Sequence, residues 1–133
     1  MATGKILVCD DEPHILHVVA TKLKNAGYEV ATALDGEEGW QMACEAPPDL
    51  IITDYQMPVL SGLELCARLR ADEGLKSIPV LMLTARGFSL RGREREHENI
   101  RRLVVKPFSP REVLRCVEEL LGCGKELRIA NSE

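Results

Sequence analysis

The chain has 133 residues, 45% of them apolar and 29% charged, and a formal net charge of −4. That length supports one domain with a full core and is short for two, and the composition is that of a soluble globular protein, not a disordered one. No apolar run approaches the roughly 18 residues of a membrane span, and Met1-Ala2-Thr3-Gly4-Lys5 lacks a secretory apolar segment, so a cytoplasmic protein without a membrane partner is expected.

Short apolar runs alternate with longer segments of 3.6-residue period, the pattern of βαβ units around a parallel sheet. Ile6-Leu7-Val8-Cys9 reads as a first strand that ends in Asp10 and Asp11. Pro13 opens a helix at a position where its missing N–H costs nothing. Ile15, Leu16, Val19 and Leu23 form that helix's apolar stripe, and Gly27 ends it. Residues 28–32, from Tyr28 to Thr32, read as a second strand. Asp35 with Glu38 three residues later is a capping pair that opens a helix containing Trp40, Met42 and Ala43, stopped by Pro47-Pro48. Leu50-Ile51-Ile52 is a third strand, and Thr53-Asp54-Tyr55-Gln56-Met57 follows it.

Ser61 and Glu64 repeat the capping pattern ahead of Leu63, Leu65, Ala67 and Leu69. Val80-Leu81-Met82-Leu83 forms a fourth strand and ends in Thr84. A fourth helix belongs by topology between Thr84 and Leu103, but two glycines and few apolar anchors support it weakly, so it is expected to be short or mobile. Leu103-Val104-Val105 is a fifth strand that ends in Lys106. Ser109-Pro110-Arg111-Glu112 then opens a last helix carrying Val113, Leu114, Val117, Leu120 and Leu121, with Gly122 at its end. Residues 1–124 are expected to form the domain, and 125–133 a tail.

Charge is unevenly spread. Residues 1–64 hold eleven acids against three lysines, whereas residues 65–133 hold ten acids against fourteen bases. The first half thus gathers negative charge that a bound cation would offset, and the second contains the arginine-rich stretch from Arg86 to Arg102, a solvated face or a contact surface for an acidic partner. The five cysteines (Cys9, Cys44, Cys66, Cys116, Cys123) are odd in number, lack zinc-type spacing and read as reduced thiols. Most are expected to be buried, with Cys123 exposed.

Four strand ends deliver Asp10 and Asp11, Asp54, Thr84 and Lys106 to one edge of the sheet, where α/β folds gather ligands. Three crowded carboxylates need a positive partner, and an all-oxygen set selects a hard cation such as Mg²⁺. Lys106-Pro107 reads as a rigid turn, cis or trans, that fixes where the amine points. Thr84, last in its strand and followed by small Ala85, aims a hydroxyl at an oxyanion.

These residues resemble the receiver domain of two-component response regulators, the CheY-like family. The resemblance rests on ILVCDDEP (6–13), LIITDYQMPVLSG (50–62), PVLMLTA (79–85) and VVKPFSPREV (104–113), in the family's order and with its spacings from Asp54 to Thr84 and from Thr84 to Lys106. It covers residues 5 to about 121. It implies a doubly wound (βα)5, flavodoxin-like fold with a five-stranded parallel sheet of strand order 2-1-3-4-5. It further implies that Asp54 takes a phosphoryl group from a phosphohistidine on a sensor histidine kinase or phosphotransfer protein. By the same resemblance, Asp11 binds Mg²⁺ directly, Asp10 does so largely through water, and Asp54 and the backbone carbonyl of Gln56 complete the site. Lys106 pairs with Asp54 and then with the phosphoryl group, to which Thr84 and the N–H of Ala85 donate. Such a module signals through protein contacts, catalyses only its own phosphorylation and dephosphorylation, and is not expected to touch nucleic acid.

Two departures stand out. Leu103 occupies the place where the family usually has a switching Tyr or Phe, and Glu98-Asn99-Ile100-Arg101-Arg102 replaces the usual Gly-Ala-Asp turn. Output is therefore expected to run through residues 86–102 instead of an aromatic flip. An alternative is that the chain is the receiver of a longer regulator with a DNA-binding or enzymatic domain. A haloacid-dehalogenase-like phosphatase expects a second acid where Gln56 stands. A flavodoxin-like FMN protein expects a phosphate-cradling loop after the first strand, where Asp10-Asp11-Glu12 repels phosphate.

Overall fold

The computed structural model describes residues 4–85 and 98–121. Its elements are β1 (Lys5–Cys9), α1 (Pro13–Asn25), β2 (Glu29–Ala33), α2 (Gly36–Glu45), β3 (Leu50–Asp54), α3 (Gly62–Ala71), β4 (Val80–Thr84), β5 (Ile100–Val105) and α4 (Pro110–Leu120). The five strands make one parallel sheet in the order β2-β1-β3-β4-β5, as expected. Strands β3 and β4 are buried along their whole length. Crossover helices cover both faces of such a sheet, which is why its inner strands are unbroken apolar runs and not alternating ones.

The two-residue period of the strands divides the core in two. On one face Ile6, Val8, Ile52 and Leu81 pack against Leu16, Val19 and Leu23 of α1 and Val113 and Val117 of α4. On the other, Leu7, Ile51 and Met82 pack against Ala43 of α2 and Leu65 and Leu69 of α3. Each wholly buried leucine contributes roughly 2 kcal/mol of transfer free energy.

Helix starts follow the side chains that cap them. Asp35 accepts the N–H of Glu38 at 2.8 Å, and Ser109 that of Glu112 at 3.2 Å. Ser61 and Glu64 form a reciprocal capping box. Glu12 is the N-cap of α1, yet its side chain makes no capping bond. Its own N–H is held by Asp10 Oδ1 at 3.0 Å.

Two strand starts differ from the expectation for identifiable reasons. β2 begins at Glu29 because Tyr28 still belongs to the end of α1, its N–H bonded to the Leu23 carbonyl at 3.1 Å around Gly27, whose φ is 107°. β5 begins at Ile100, three residues earlier than Leu103. It is an edge strand, and its exposed Arg101 and Arg102 hide it from an apolar-run reading, charges being a common guard on open sheet edges. Arg101 is the extra residue of a bulge, since Val80 pairs with Ile100 and Leu81 with Arg102.

The fourth expected helix falls largely on residues 86–97, outside the described residues, as does Cys123 near the C-terminus. Cys9 and Cys66 are buried and Cys116 is half-buried, but Cys44 is exposed, because it lies one step round α2 from the core-facing Ala43. Burial pushes the Cys66 thiol up to about 12 and the Cys9 thiol higher still, so neither is a nucleophile at neutral pH.

The loop after β3 turns sharply at Val59. The Leu60 N–H bonds to the Pro58 carbonyl at 2.7 Å across Val59, whose φ is 71°. This is a γ-turn in the left-handed region, rare for any residue and unfavourable for a β-branched one. Val59 gains little packing in return, being 77% exposed. Strain of about 1–3 kcal/mol outweighs the roughly 0.5–1 kcal/mol that glycine adds in unfolded-chain entropy. Val59→Gly is therefore expected to stabilise the fold by about 1 kcal/mol, read as a higher urea midpoint at unchanged slope. A lower midpoint would show that the turn carries no strain.

Candidate functional site

Each parallel strand points its C-terminal end to one edge of the sheet. Asp10 follows β1, Asp54 closes β3, Thr84 closes β4 and Lys106 follows β5. Between β1 and β3 the winding of the sheet reverses, and crevices at such points hold ligands. Here the crevice is an open cleft of about 630 Å³ lined by Asp11, Glu12, Asp54, Tyr55, Gln56, Met57, Pro58, Thr84, Ala85 and Lys106. Asp10 alone among the expected site residues does not line the cleft, and it is wholly buried.

Lys106 ties the floor together. Its Nζ lies 2.9 Å from Asp54 Oδ1 and 3.6 Å from Asp10 Oδ2. Its N–H bonds to the Thr84 carbonyl at 2.8 Å, and the Lys106-Pro107 peptide is cis. Thr84 is buried, and its hydroxyl donates to the Ala85 carbonyl at 3.1 Å. Thr53 donates to the Asp54 carbonyl at 3.1 Å. The Tyr55 N–H bonds back to Leu83 at 2.8 Å, and Tyr55's carbonyl accepts from Gly62 at 2.9 Å.

The first residues of α2 and α3 press on this loop. A Cβ on Gly62 would stand 2.1 Å from the Asp54 carbonyl oxygen, and one on Gly36 would stand 2.0 Å from that of Leu60. Only glycine fits at either place.

The electrostatics are those of charge held out of water. Burial pushes the Asp10 carboxyl up to about 6, with the Asp54 charge adding to the rise and the Glu12 N–H and Lys106 opposing it. Burial also raises Asp54, against the bond from Lys106. Burial alone would lower Lys106, but its bond to Asp54 and the charges of Asp10, Asp54 and Glu12 outweigh that and hold it above its usual value. The lysine is therefore an ammonium at neutral pH, and the acids are short of positive charge.

The residues fit a hard cation. Asp10 Oδ2 is buried without a hydrogen-bond donor, a costly state for an anionic oxygen. Carboxylate oxygens of Asp10, Asp11 and Glu12 all lie within 4.8 Å of one another, an all-oxygen set of the kind Mg²⁺ or Ca²⁺ takes. Glu12 is not among the cation ligands expected from the sequence, where it counts only as an acid that repels phosphate after the first strand. Its signal was its type, since glutamate is a poor N-cap and its carboxylate is free for other work. The close approaches of Gly36 and Gly62 have no counterpart in local sequence.

The response regulator receiver domain family matches residues 6–118. The DNA-binding dual master transcriptional regulator RpaA of Synechocystis is 40% identical over 120 residues, which are 88% of this chain and 48% of that protein. The chemotaxis protein CheY1 of Helicobacter pylori is 33% identical over 89% of this chain and 97% of its own length. Among solved structures, the chemotaxis response regulator CheY4 of Vibrio cholerae superposes with a TM-score of 0.80 at 35% identity, covering 90% of this chain and all of that one. The chain spans about half the length of the transcriptional regulators it matches, such as RpaA, and nearly all of CheY1. With the family matched over most of its length, and with the strand order in agreement, the chain belongs to the receiver domains of two-component response regulators.

Proposed function

We propose that Asp54 is the phosphoacceptor of this receiver. Its carboxylate attacks the phosphorus of a phosphohistidine on a sensor histidine kinase or phosphotransfer protein. The P–O bond forms as the P–N bond breaks, and the imidazole leaves with the bonding pair. The observation that carries this reading is a buried carboxylate 2.9 Å from a lysine amine on the floor of a cleft rimmed with further acids.

Phosphoryl transfer passes through a loose transition state, so a protein contributes chiefly position and charge. Lys106 holds Asp54 in the resting state and is near enough to pass to a phosphoryl oxygen afterwards. Thr84 donates a second bond once its hydroxyl rotates away from the Ala85 carbonyl, and the Ala85 N–H supplies a third. Asp11, Asp10 through water, Asp54 and the Gln56 carbonyl would hold Mg²⁺, which when bound supplies charge neutralisation at the phosphoryl oxygens.

Incubation with acetyl phosphate and Mg²⁺ followed by Phos-tag electrophoresis tests this. A retarded band is expected for the wild type and none for Asp54→Asn or in EDTA. Labelling that persists in Asp54→Asn, or that ignores EDTA, overturns the assignment.

Residues 1–124 then act as the receiver and 125–133 as tail or linker, with the state passed on by protein contacts and no contact of these residues with nucleic acid. Among the described residues no helix is long and apolar enough to cross a membrane. A second reading, a receiver joined to a DNA-binding domain, is favoured by relatives of about twice the aligned length that are named transcriptional regulators. CheY1, matched over 97% of its length, favours the stand-alone form. The mass of the native protein decides between them.

A further inference from the structure

We infer that Glu12 is a further carboxylate of the cation site beside Asp10, Asp11 and Asp54, one that raises affinity for divalent ions and does so more for Ca²⁺ than for Mg²⁺. This rests on the cation-site reading above. Three observations lead to it. Carboxylate oxygens of Asp10, Asp11 and Glu12 lie within 4.8 Å of one another. Asp10 Oδ2 is buried and lacks a donor. Among the described residues the cation beside it is Lys106, whose Nζ stands 3.6 Å away, beyond hydrogen-bonding range, and makes its closer contact, 2.9 Å, with Asp54. The lysine therefore gives its hydrogen bond to Asp54 and only a looser ion pair to Asp10, so Asp10 Oδ2 still lacks a donor.

Glu12 is tied to the same carboxylate through its main chain. Its N–H is bonded to Asp10 Oδ1 at 3.0 Å, on the same carboxylate whose other oxygen lacks a donor. Its side chain is released from the helix start, where it makes no capping bond, and it lines the cleft. Of the three acids it has the longest side chain, so it can move to the ion without shifting the backbone. Mg²⁺ keeps several waters and uses one or two carboxylates, whereas Ca²⁺ gathers six to eight oxygens and readily takes a glutamate. A further acid on a flexible arm therefore favours the larger ion more.

Calorimetric titration of CaCl₂ and MgCl₂ into the wild type, Glu12→Gln and Asp11→Asn tests the assignment on binding alone. Glu12→Gln is expected to weaken Ca²⁺ by about tenfold and Mg²⁺ by about threefold. Asp11→Asn is expected to weaken both ions more severely. If Asp11→Asn loses binding and Glu12→Gln does not, the cation site stands and this inference falls. If Asp11→Asn binds like the wild type, the site reading itself falls, and this inference with it. An equal loss for both ions that disappears in about 0.5 M KCl, where charges beyond roughly 4 Å are screened, makes Glu12 a distant charge and overturns the assignment. Thermal unfolding without cation separates these outcomes from damage to the fold. Each variant removes one of several crowded charges, so each should melt at or above the wild-type temperature.

Discussion

Gly62→Ala is expected to destabilise the protein by about 3 kcal/mol or more. The new Cβ would stand 2.1 Å from the Asp54 carbonyl oxygen and 3.1 Å from Tyr55 Cα. Both neighbours are backbone, pinned by β3 pairing and by the Tyr55 bond to Leu83, so no side chain can swing aside. Alanine's better helix propensity returns less than 1 kcal/mol at the first position of α3. Gly74→Ala is the control, since its nearest contact would be a side-chain oxygen at 3.4 Å. Urea unfolding of both variants is the measurement, and a Gly62→Ala loss within 1 kcal/mol of the control would refute the packing argument. Because the displaced atom is Asp54's own carbonyl, phosphoryl uptake should fall further than stability alone accounts for.

Cation-free protein is expected to be destabilised by its own Asp10 at neutral pH. The folded carboxyl titrates at about 6, above its ordinary 3.8. A raised folded value means that the group's contribution is fully present below about 3.8 and is lost as pH rises through about 6. Two units correspond to roughly 2–3 kcal/mol. Asp54 shifts in the same direction. Lys106 is raised as well, but it changes protonation only in the alkaline range and leaves this window untouched. Asp10→Asn keeps the oxygen that accepts the Glu12 N–H, so it should stabilise the metal-free fold by about 2 kcal/mol at pH 7.5 and by almost nothing below pH 4. Added Mg²⁺ should narrow the gap at pH 7.5 by stabilising the wild type. A gap that is constant across pH would show that Asp10 acts through packing and not through charge.

The polar ends of β1, β3, β4 and β5 were legible in sequence because each apolar run stops abruptly at a residue that bears chemistry. Parallel strands then fix which edge those ends share. The capping pairs at Asp35, Ser61 and Ser109 were equally local, and each forms. What was not legible depends on approach between distant segments. Gly36 and Gly62 look like ordinary first helical residues until Leu60 and Asp54 arrive beside them. The start of β5 was masked by two arginines on an edge, and Tyr28, buried at the end of α1, resembled a strand residue. The exposure of Cys44 turned on a single step around a helix. The route of output expected through residues 86–102 falls mostly outside the described residues.

The contact between Gly36 and the Leu60 carbonyl has a consequence for exchange of parts between receivers. The loop from Asp54 to Gly62 looks like a cassette, since both its ends lie on regular elements. It is not one, because its outer turn is seated on the first residue of α2, twenty-four positions upstream of Leu60. A chimera with its crossover between residues 36 and 60 would place a foreign turn on this helix, or this turn on a foreign one. Whenever the incoming partner carries a side chain at the position of Gly36, the graft meets backbone. In recombination, Gly36 and the Asp54 loop travel as one unit, although α2 and β3 separate them in the chain.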